Sequence, residues 1–521
     1  MENKANNFAL DIKNMLVNLS LILMLVALLI NNPYCFLLSS ILIIFNNVII
    51  SLEDIKENFI FLLFNGSFNF FLLSSFIVSG FFGADYEYRG LFDMGFDNEI
   101  TINIIKFICI SIITLSFSYY YFLERDLNKT YITSGFYRYF KKVLDKIFPI
   151  RKKNVEKKPS KIKKFILDNK EGLIKTIRYL ALSIFFIALL FRIIVVIEDI
   201  RLTREIGYRR TYLISKEYSN IWERLIDIIG RMYFISFFIY LASLPNIKKT
   251  IVPTFLFLIP NTLNLLTGSR NNFALDILII LIYFVLRTKN TKILKKIIIL
   301  SIISLPFIIG ILIFVGNIRG TDNVNTLYKY STGDKIIRFF YNQGVSARIL
   351  GNVQYFSQDI PYRLYSFGDI IDFFKSSALG KMILNIGVYQ GQSVEVFLTK
   401  NQLSHVISFI QSPYYYLNEG LGVGSSYIAE LYVDFSYIGI VLGSFFYGFL
   451  IRKLMRIFID ESVVLRALML VATRDLLLTP RASFTFFLST ILQKTQLASY
   501  ILIIFASIFI YYSYMKIRRK K

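Results

Sequence analysis

The sequence contains few of the residues that build disulfide-rich or metal-binding proteins. Its 521 residues include two cysteines, Cys35 and Cys109, and one histidine, His405. Both cysteines lie inside apolar runs, where a buried thiol is usually a small packing residue. The sequence therefore predicts no disulfide framework, no metal site and no cofactor.

Several motifs that would indicate other protein classes are also missing. No Asp-x-Asp motif lies in a suitable soluble domain, which argues against a metal-dependent transferase of nucleotide-linked sugars. The alternating glycines 420, 422 and 424 are not surrounded by a βαβ unit, so a dinucleotide site is excluded. The first 14 residues lack a strongly basic region and no obvious cleavage site follows, so the first apolar run is expected to be a retained helix.

Apolar residues dominate what is present. Hydrophobic residues make up 55% of the chain and aromatic residues 17%, and the mean hydropathy is +0.54. A single soluble core could not bury this much apolar surface, so the sequence predicts an all-α polytopic membrane protein with about twelve transmembrane helices. The predicted spans are Asn14–Ile30, Cys35–Ser51, Phe59–Phe82, Thr101–Phe122, Arg178–Ile197, Ile228–Leu244, Ile251–Leu266, Phe273–Leu286, Ile297–Gly316, Ser426–Ile451, Val463–Leu478 and Leu497–Tyr512.

The positive charge is distributed as in a membrane protein. The net charge is +24, but Lys and Arg cluster between apolar runs, so we do not expect a nucleic-acid partner. The segment from Leu123 to Arg178 carries 17 Lys and Arg against six Asp and Glu, which predicts a cytoplasmic loop. Both termini are then predicted to be cytoplasmic, and a composition rich in Ile, Asn, Lys and Phe favours a low-GC bacterial genome.

This topology divides the chain into five predicted parts. They are N-terminal helices (residues 1–122), a basic cytoplasmic loop (123–177), central helices (178–316), a long external or periplasmic loop (317–425) and C-terminal helices (426–521). External loops of such length are usually functional. Its periodic stretches, Ile370–Ser376 and Val394–Gln411, predict short helices lying on the membrane surface.

External arginines are the most informative polar feature, because positive charge is normally depleted on that side. They occur in several predicted external segments and include Arg270, Arg319, Arg348, Arg474 and Arg481. Guanidinium groups bind phosphate oxygens in a bidentate way, so the set favours an anionic substrate such as a pyrophosphate. Pairing with nearby carboxylates or lipid headgroups is the alternative for any one of them.

A second constellation begins at the end of the long loop. Gly422, Gly424, Ser425, Ser426 and Tyr427 form a glycine and hydroxyl turn, and the apolar run that follows contains two carboxylates. These are Glu430 and Asp434, spaced four residues apart and so on one face of a helix. Such carboxylates usually face a site or cavity, although pairing with basic neighbours is equally consistent with the pattern.

If a sugar hydroxyl is the acceptor in the reaction, a general base must remove its proton. His405, with an ordinary pKa of about 6.5, suits that role, and Glu430 and Asp359 are the rivals. A purely structural role for this single histidine is the alternative.

The sequence resembles the O-antigen polysaccharide polymerase (Wzy-type) family. The resemblance is best between about residues 231 and 487, and the helical region before it is unspecific. The motifs that carry it are Thr267-Gly268-Ser269-Arg270, Gly316-Asn317-Ile318-Arg319-Gly320, Gly422-Val423-Gly424-Ser425-Ser426-Tyr427-Ile428-Ala429-Glu430 and Thr479-Pro480-Arg481-Ala482-Ser483-Phe484.

The resemblance implies an inverting, metal-independent membrane glycosyltransferase. Its donor would be a growing glycan on undecaprenyl pyrophosphate, and its acceptor a new lipid-linked repeat unit of O-antigen or capsule. Arg270, Arg319 and Arg481 would contact the diphosphate, with Arg348 and Arg474 as further candidates, and His405 or Glu430 would act as the base. A chain-length regulator is a conceivable partner, and an O-antigen ligase or a flippase of lipid-linked oligosaccharide is the alternative function.

Overall fold

The computed structural model describes residues 2–82, 95–149, 169–214, 220–320, 331–384, 389–460 and 462–518. Within these ranges the chain is helical, with short 3-10 and π turns and no β-strand. The all-α membrane fold that the hydropathy predicts is confirmed. Some sequence predictions concern side chains outside the described part, and Arg319 is one of them.

The helices fall into a bundle interrupted by a cluster of short helices. The bundle helices before the long loop are α1 (Glu2–Ile30), α2 (Pro33–Glu53), α3 (Ile55–Phe68), α4 (Ser74–Phe82), α5 (Asn98–Leu127), α6 (Gly135–Ile147), α7 (Lys170–Ile206), α8 (Ile221–Ala242), α9 (Ile247–Leu263), α10 (Asn271–Arg287) and α11 (Thr291–Gly320). The loop contains α12 (Thr332–Gly344), α13 (Arg348–Tyr355), α14 (Gly368–Lys375), α15 (Ala378–Leu384), α16 (Val394–Thr399), α17 (Leu403–Gln411) and α18 (Pro413–Glu419). The chain then forms α19 (Tyr427–Asp460), α20 (Val463–Leu476), α21 (Ser489–Leu492) and α22 (Lys494–Arg518).

Ten helical segments of the described ranges are long and apolar enough to cross a membrane. They correspond to ten of the twelve predicted spans. The other two spans are shorter helices, α10 with 17 residues and α20 with 14. A 14-residue helix extends about 21 Å, less than the roughly 30 Å hydrocarbon core, so α20 crosses only part of a bilayer.

An irregular segment follows the short helix α20. Residues 477–488 contain two 3-10 turns, Thr479–Arg481 and Phe486–Leu488, joined by extended backbone. Non-helical backbone at membrane depth is tolerated only where protein groups satisfy it. Here the Ser67 hydroxyl donates to the Leu477 carbonyl, and the Phe484 amide donates to Glu430.

Small residues bring α5 and α19 into close contact. At Gly448 an added Cβ would lie 2.4 Å from the carbonyl oxygen of Leu115. Ser118 Oγ donates to the Phe445 carbonyl at 2.6 Å, and Ser111 Oγ lies 2.6 Å from the Tyr427 hydroxyl. Membrane helices associate through such close packing and interhelical hydrogen bonds rather than through the hydrophobic effect.

Ion pairs mark the end of the bundle opposite the loop helices. Arg452 pairs with Glu57 at 3.0 Å and with Asp126 at 2.8 Å, and Arg456 pairs with Asp126 at 2.6 Å. Asp126 belongs to the predicted cytoplasmic loop, and the structure brings it together with Arg452 and Arg456 at one end of the bundle. Which end faces the cytoplasm stays a prediction.

Cysteine labelling tests the orientation. In a protein lacking Cys35 and Cys109, we expect Tyr362→Cys, on a fully exposed loop residue, to react with a membrane-impermeant maleimide in intact spheroplasts. Lys142→Cys, on the exposed face of α6, should react only after the membrane is opened. The reverse pattern would place the loop helices in the cytoplasm.

A glycine pair tests the packing of α5 against α19. Gly448→Ala should destabilise the protein by about 1–3 kcal/mol, because its methyl group would meet the Leu115 carbonyl. Gly310→Ala is the matched control, since an added Cβ there has no atom of the described chain within 4 Å. Thermal unfolding midpoints in one detergent compare the two, and equal midpoints would contradict the close contact.

Candidate active site

A buried ion cluster fixes Arg474 inside the bundle. Its Nε donates to Asp276 Oδ1 at 2.5 Å, and its Nη1 donates to Asp475 Oδ1 at 2.8 Å. Its Nη2 donates to Asn272 Oδ1 at 2.9 Å. Both carboxylates are fully buried. The Arg474 charge is therefore compensated within the protein, and the cluster holds its guanidinium in one orientation.

A cavity of about 320 Å³ lies beside this cluster. Its cationic lining residues are Arg192, Arg231 and Arg474, and its acidic ones are Asp199 and Asp227. We call this cavity the arginine pocket. Since α7, α8 and α20 each contribute one of the arginines, the pocket depends on the packing of three helices.

Arg192 has a side-chain hydrogen-bond donor that no described residue uses. Its Nε is buried and has no hydrogen-bond partner among the described residues, and its guanidinium carbon lies 5.9 Å from the Tyr233 ring centroid. Gly230 allows α8 to approach here, because a Cβ would lie 3.2 Å from the Arg192 backbone nitrogen. A buried guanidinium donor without a partner is costly, so an anion in the pocket would complete its hydrogen bonding.

A second cavity, of about 490 Å³, adjoins the arginine pocket. Arg231 and Gln493 line both cavities. The charged residues that line the second cavity, besides Arg231, are Asp369, Asp372, Lys375, Lys400 and Lys494. We call it the carboxylate groove. Loop residues form one of its walls, and residues 489–495, which lead into α22, form another.

Arg231 lies at the junction of the two cavities. Its Nη2 pairs with Asp227 Oδ2 at 2.7 Å, and its side chain is 41% exposed while that of Asp227 is 4% exposed. Because the guanidinium is only partly covered, it can keep this ion pair and still contact a ligand. A substrate spanning both cavities would pass this side chain.

Helix α14 places two carboxylates one turn apart in the groove. Both oxygens of Asp372 accept the Asn401 amide, at 3.1 and 3.2 Å. Asp369 accepts from the hydroxyls of Ser483 and Thr485. The loop helices are therefore joined to the irregular segment 477–488 through Asp369.

Burial shifts the pKa values of two charged side chains in the groove. Burial raises the pKa of Asp372 above its ordinary 3.8, although the Asn401 amide and the charge of Lys375 act against the shift. Burial lowers the pKa of Lys375, and Asp372 partly offsets this. Asp372 is thus a stronger proton acceptor than an exposed aspartate.

His405 lies elsewhere, in a third cavity of about 270 Å³. Its Nδ1 is 2.8 Å from the Tyr416 hydroxyl. Burial, reinforced by the charge of Lys400, lowers the pKa of His405 to about 4, so the ring is neutral at pH 7. Tyr208, Tyr212 and Gln392 share the lining, and we call this cavity the tyrosine pocket. Gly422 and Gly424 also border it.

Glu430 connects two chain segments in the interior. It is completely buried and accepts the Ser425 hydroxyl and the Phe484 amide, both at 2.8 Å. The Tyr427 hydroxyl contacts Ser111, and Ser426 is buried. Glu430 does not line the arginine pocket, the carboxylate groove or the tyrosine pocket.

The other predicted arginines are spread over the structure. Arg270 Nη1 donates to the Leu312 carbonyl of α11 at 3.0 Å. Arg481 Nη1 donates to Gln343 Oε1 at 2.9 Å, and Arg348 lies over the Phe96 ring. Arg474 alone of the described predicted set lines the arginine pocket. The predicted contacts of the others with a diphosphate stay predictions.

Four residues of the two adjoining cavities are not among the site residues predicted from the sequence. Arg192 and Arg231 lie inside predicted spans, and Asp369 and Asp372 lie in or beside a predicted loop helix. A signal for the arginines existed, because an ionisable residue within a transmembrane segment is a functional candidate by default. Nothing comparable distinguished the two aspartates from other loop carboxylates.

Comparison with known proteins gives one match. The family model for O-antigen polysaccharide polymerase Wzy matches residues 12–513, nearly the whole chain. No curated protein and no solved structure matches. The chain therefore belongs to the O-antigen polysaccharide polymerase Wzy family.

Proposed function

We propose that the protein polymerises oligosaccharide repeat units carried on undecaprenyl pyrophosphate, at the outer face of a bacterial inner membrane. It transfers the growing glycan to an acceptor sugar hydroxyl of a new lipid-linked unit, for O-antigen or capsule. The observation that carries the proposal is the arginine pocket joining the carboxylate groove at Arg231. The family match supports a polymerase over the ligase and flippase alternatives.

The depth of the arginine pocket suits a lipid diphosphate. Arg178, near the start of α7, donates to the Ser243 carbonyl at the end opposite the loop helices. Arg192 follows 14 residues later, which is about 21 Å along the helix axis. With the loop helices outside the cell membrane, as proposed, the pocket would lie in the outer part of a roughly 30 Å hydrocarbon core. A diphosphate attached to an isoprenoid chain would meet Arg192 and Arg231 there.

The arginines would act on the leaving group. When the bond between the anomeric carbon and the pyrophosphate breaks, negative charge grows on the departing lipid diphosphate. Fixed cationic donors that bind this charge more strongly in the transition state lower the barrier. Arg192 and Arg231 would supply the charge and Arg474 would maintain the pocket's shape, so the proposed reaction requires no bound metal.

The groove would hold the acceptor. In the proposed step the acceptor oxygen bonds to the anomeric carbon and its proton passes to the Asp372 carboxylate. We favour Asp372 because burial raises its pKa and so makes it a stronger proton acceptor, although the Asn401 amide already donates to both of its oxygens. His405 and Glu430 remain rival bases, although neither lines the groove.

Arginine substitutions test the diphosphate site. In a deletion strain, Arg231→Ala or Arg192→Ala should reduce polymerisation about 10²–10³-fold, because one developing charge loses a fixed donor. A gel of surface polysaccharide should then show a single-repeat band. Arg201→Ala, on a largely exposed side chain paired with Glu205 at the surface, should restore the full ladder.

Other gel patterns would contradict the proposal. A full ladder with both pocket variants would remove the arginine pocket from the mechanism. Loss of all surface glycan in the deletion strain would favour a flippase, and a complete ladder retained on undecaprenyl pyrophosphate would favour a ligase.

A carboxylate substitution tests the base. Asp372→Asn should lower the polymerisation rate about 10²–10⁴-fold, while Glu395→Gln, on an exposed carboxylate of α16, should not. Since the base must be ionised, the wild-type rate should fall as the pH drops through the raised pKa of Asp372, at a midpoint above 3.8. An active Asp372→Asn protein combined with an inactive His405→Ala protein would assign the base to His405 instead.

A further inference from the structure

The tyrosine pocket is built by close backbone contacts between distant segments. Gly391 and Gly420 both have positive φ, at 76° and 66°. A Cβ at Gly391 would lie 2.9 Å from the Leu213 carbonyl oxygen, and one at Gly420 would lie 2.0 Å from that of Arg209. Only glycine allows these approaches, so the segment 208–213 is held against the loop helices and the pocket has a defined shape.

The lining combines aromatic rings with unused hydrogen-bonding groups. The rings of Tyr208 and Tyr212 meet edge to face with centroids 5.4 Å apart. Gln392 Oε1 is buried and has no hydrogen-bond partner in the described ranges. His405 bonds Tyr416 through Nδ1, and its other ring nitrogen has no hydrogen bond to the described residues.

This chemistry fits a sugar. A sugar ring has apolar C–H faces that pack on aromatic side chains and hydroxyls that both donate and accept hydrogen bonds. A buried amide oxygen without a partner costs free energy that a ligand hydroxyl would recover. The volume of about 270 Å³ is near the lower end of small-molecule pockets, so it suits a single sugar unit rather than a long oligosaccharide.

The tyrosine pocket is a near neighbour of the carboxylate groove. Gln390 lines the groove and Gln392 lines the pocket, and likewise Gln402 lines the groove and Ser404 the pocket. Two residues of extended chain span at most about 7 Å. A glycan with one end in the groove could therefore reach the pocket with a neighbouring sugar.

We propose that the tyrosine pocket is a binding subsite for a sugar of the glycan chain, separate from the reacting centre, which retains the polymer between additions. The inference rests on the proposed polymerase function and extends it. Tyr208 and Tyr212 would pack on the sugar ring. Gln392 and His405 would form hydrogen bonds with its hydroxyls.

Binding of free glycan tests the subsite. The probe is the polysaccharide released from the lipid of the host strain by mild acid, fractionated into single repeats and chains of several repeats. Affinity is measured on the full-length protein in nanodiscs. Tyr212→Ala should weaken binding of the longer chains about fivefold, as expected for the loss of one aromatic contact, and should shift the surface ladder to fewer repeats. Tyr362→Ala, on a fully exposed loop tyrosine outside the pocket, should leave the affinity unchanged.

A second substitution guards against misfolding. If Tyr212→Ala lowers the thermal unfolding midpoint, Gln392→Leu decides, because it keeps the side-chain volume and removes the unpaired oxygen. Unchanged affinity in a folded variant, or no binding of the longer chains by the wild type, would overturn the subsite. The assay contains no lipid donor, so it is independent of the polymerase test. Tyrosine-dependent binding together with a deletion strain that retains a complete ladder on undecaprenyl pyrophosphate would overturn the polymerase proposal and leave the subsite standing.

Discussion

The buried cluster of Arg474 with Asp276 and Asp475 is the interaction on which the candidate site depends. Asp276 also accepts the Asn261 amide, and Asp475 Oδ2 accepts the Thr490 backbone amide at 3.3 Å. The cluster therefore joins α9, α10 and α20 to the segment that leads into α22. Burying ions costs several kcal/mol each, and removing one partner of such a pair typically costs about 3–5 kcal/mol. Loss of the cluster would therefore disturb the helix packing that forms the arginine pocket.

Two carboxylates that the sequence singles out as site candidates hold irregular backbone in place. Glu430 accepts the Phe484 amide, and Asp434 accepts the amides of Tyr365 and Ser366. Buried amides outside helices need such acceptors, because no water is available at that depth. The first turns of α19 thereby fasten both the long loop and the segment 477–488 to the bundle, which keeps the loop carboxylates close to the arginines.

Hydropathy and charge predict most of this fold because a spanning helix must be long and apolar, and basic loops remain on one side. They overestimate α20, since its continuation through residues 477–488 depends on tertiary hydrogen bonds that no local pattern records. The site is harder to predict. Arg474 was found from its external position, whereas Arg192 was hidden within an apolar run. That Asp372 and Arg231 line the same cavity depends on the packing of the loop.

A structure of the full-length protein in lipid nanodiscs, with an undecaprenyl pyrophosphate-linked repeat unit bound, would locate the diphosphate. We predict the diphosphate within hydrogen-bond distance of Arg192 and Arg231, with the sugars extending into the groove beside Asp372. A diphosphate bound at Arg270 or Arg481, with the arginine pocket empty, would contradict this prediction.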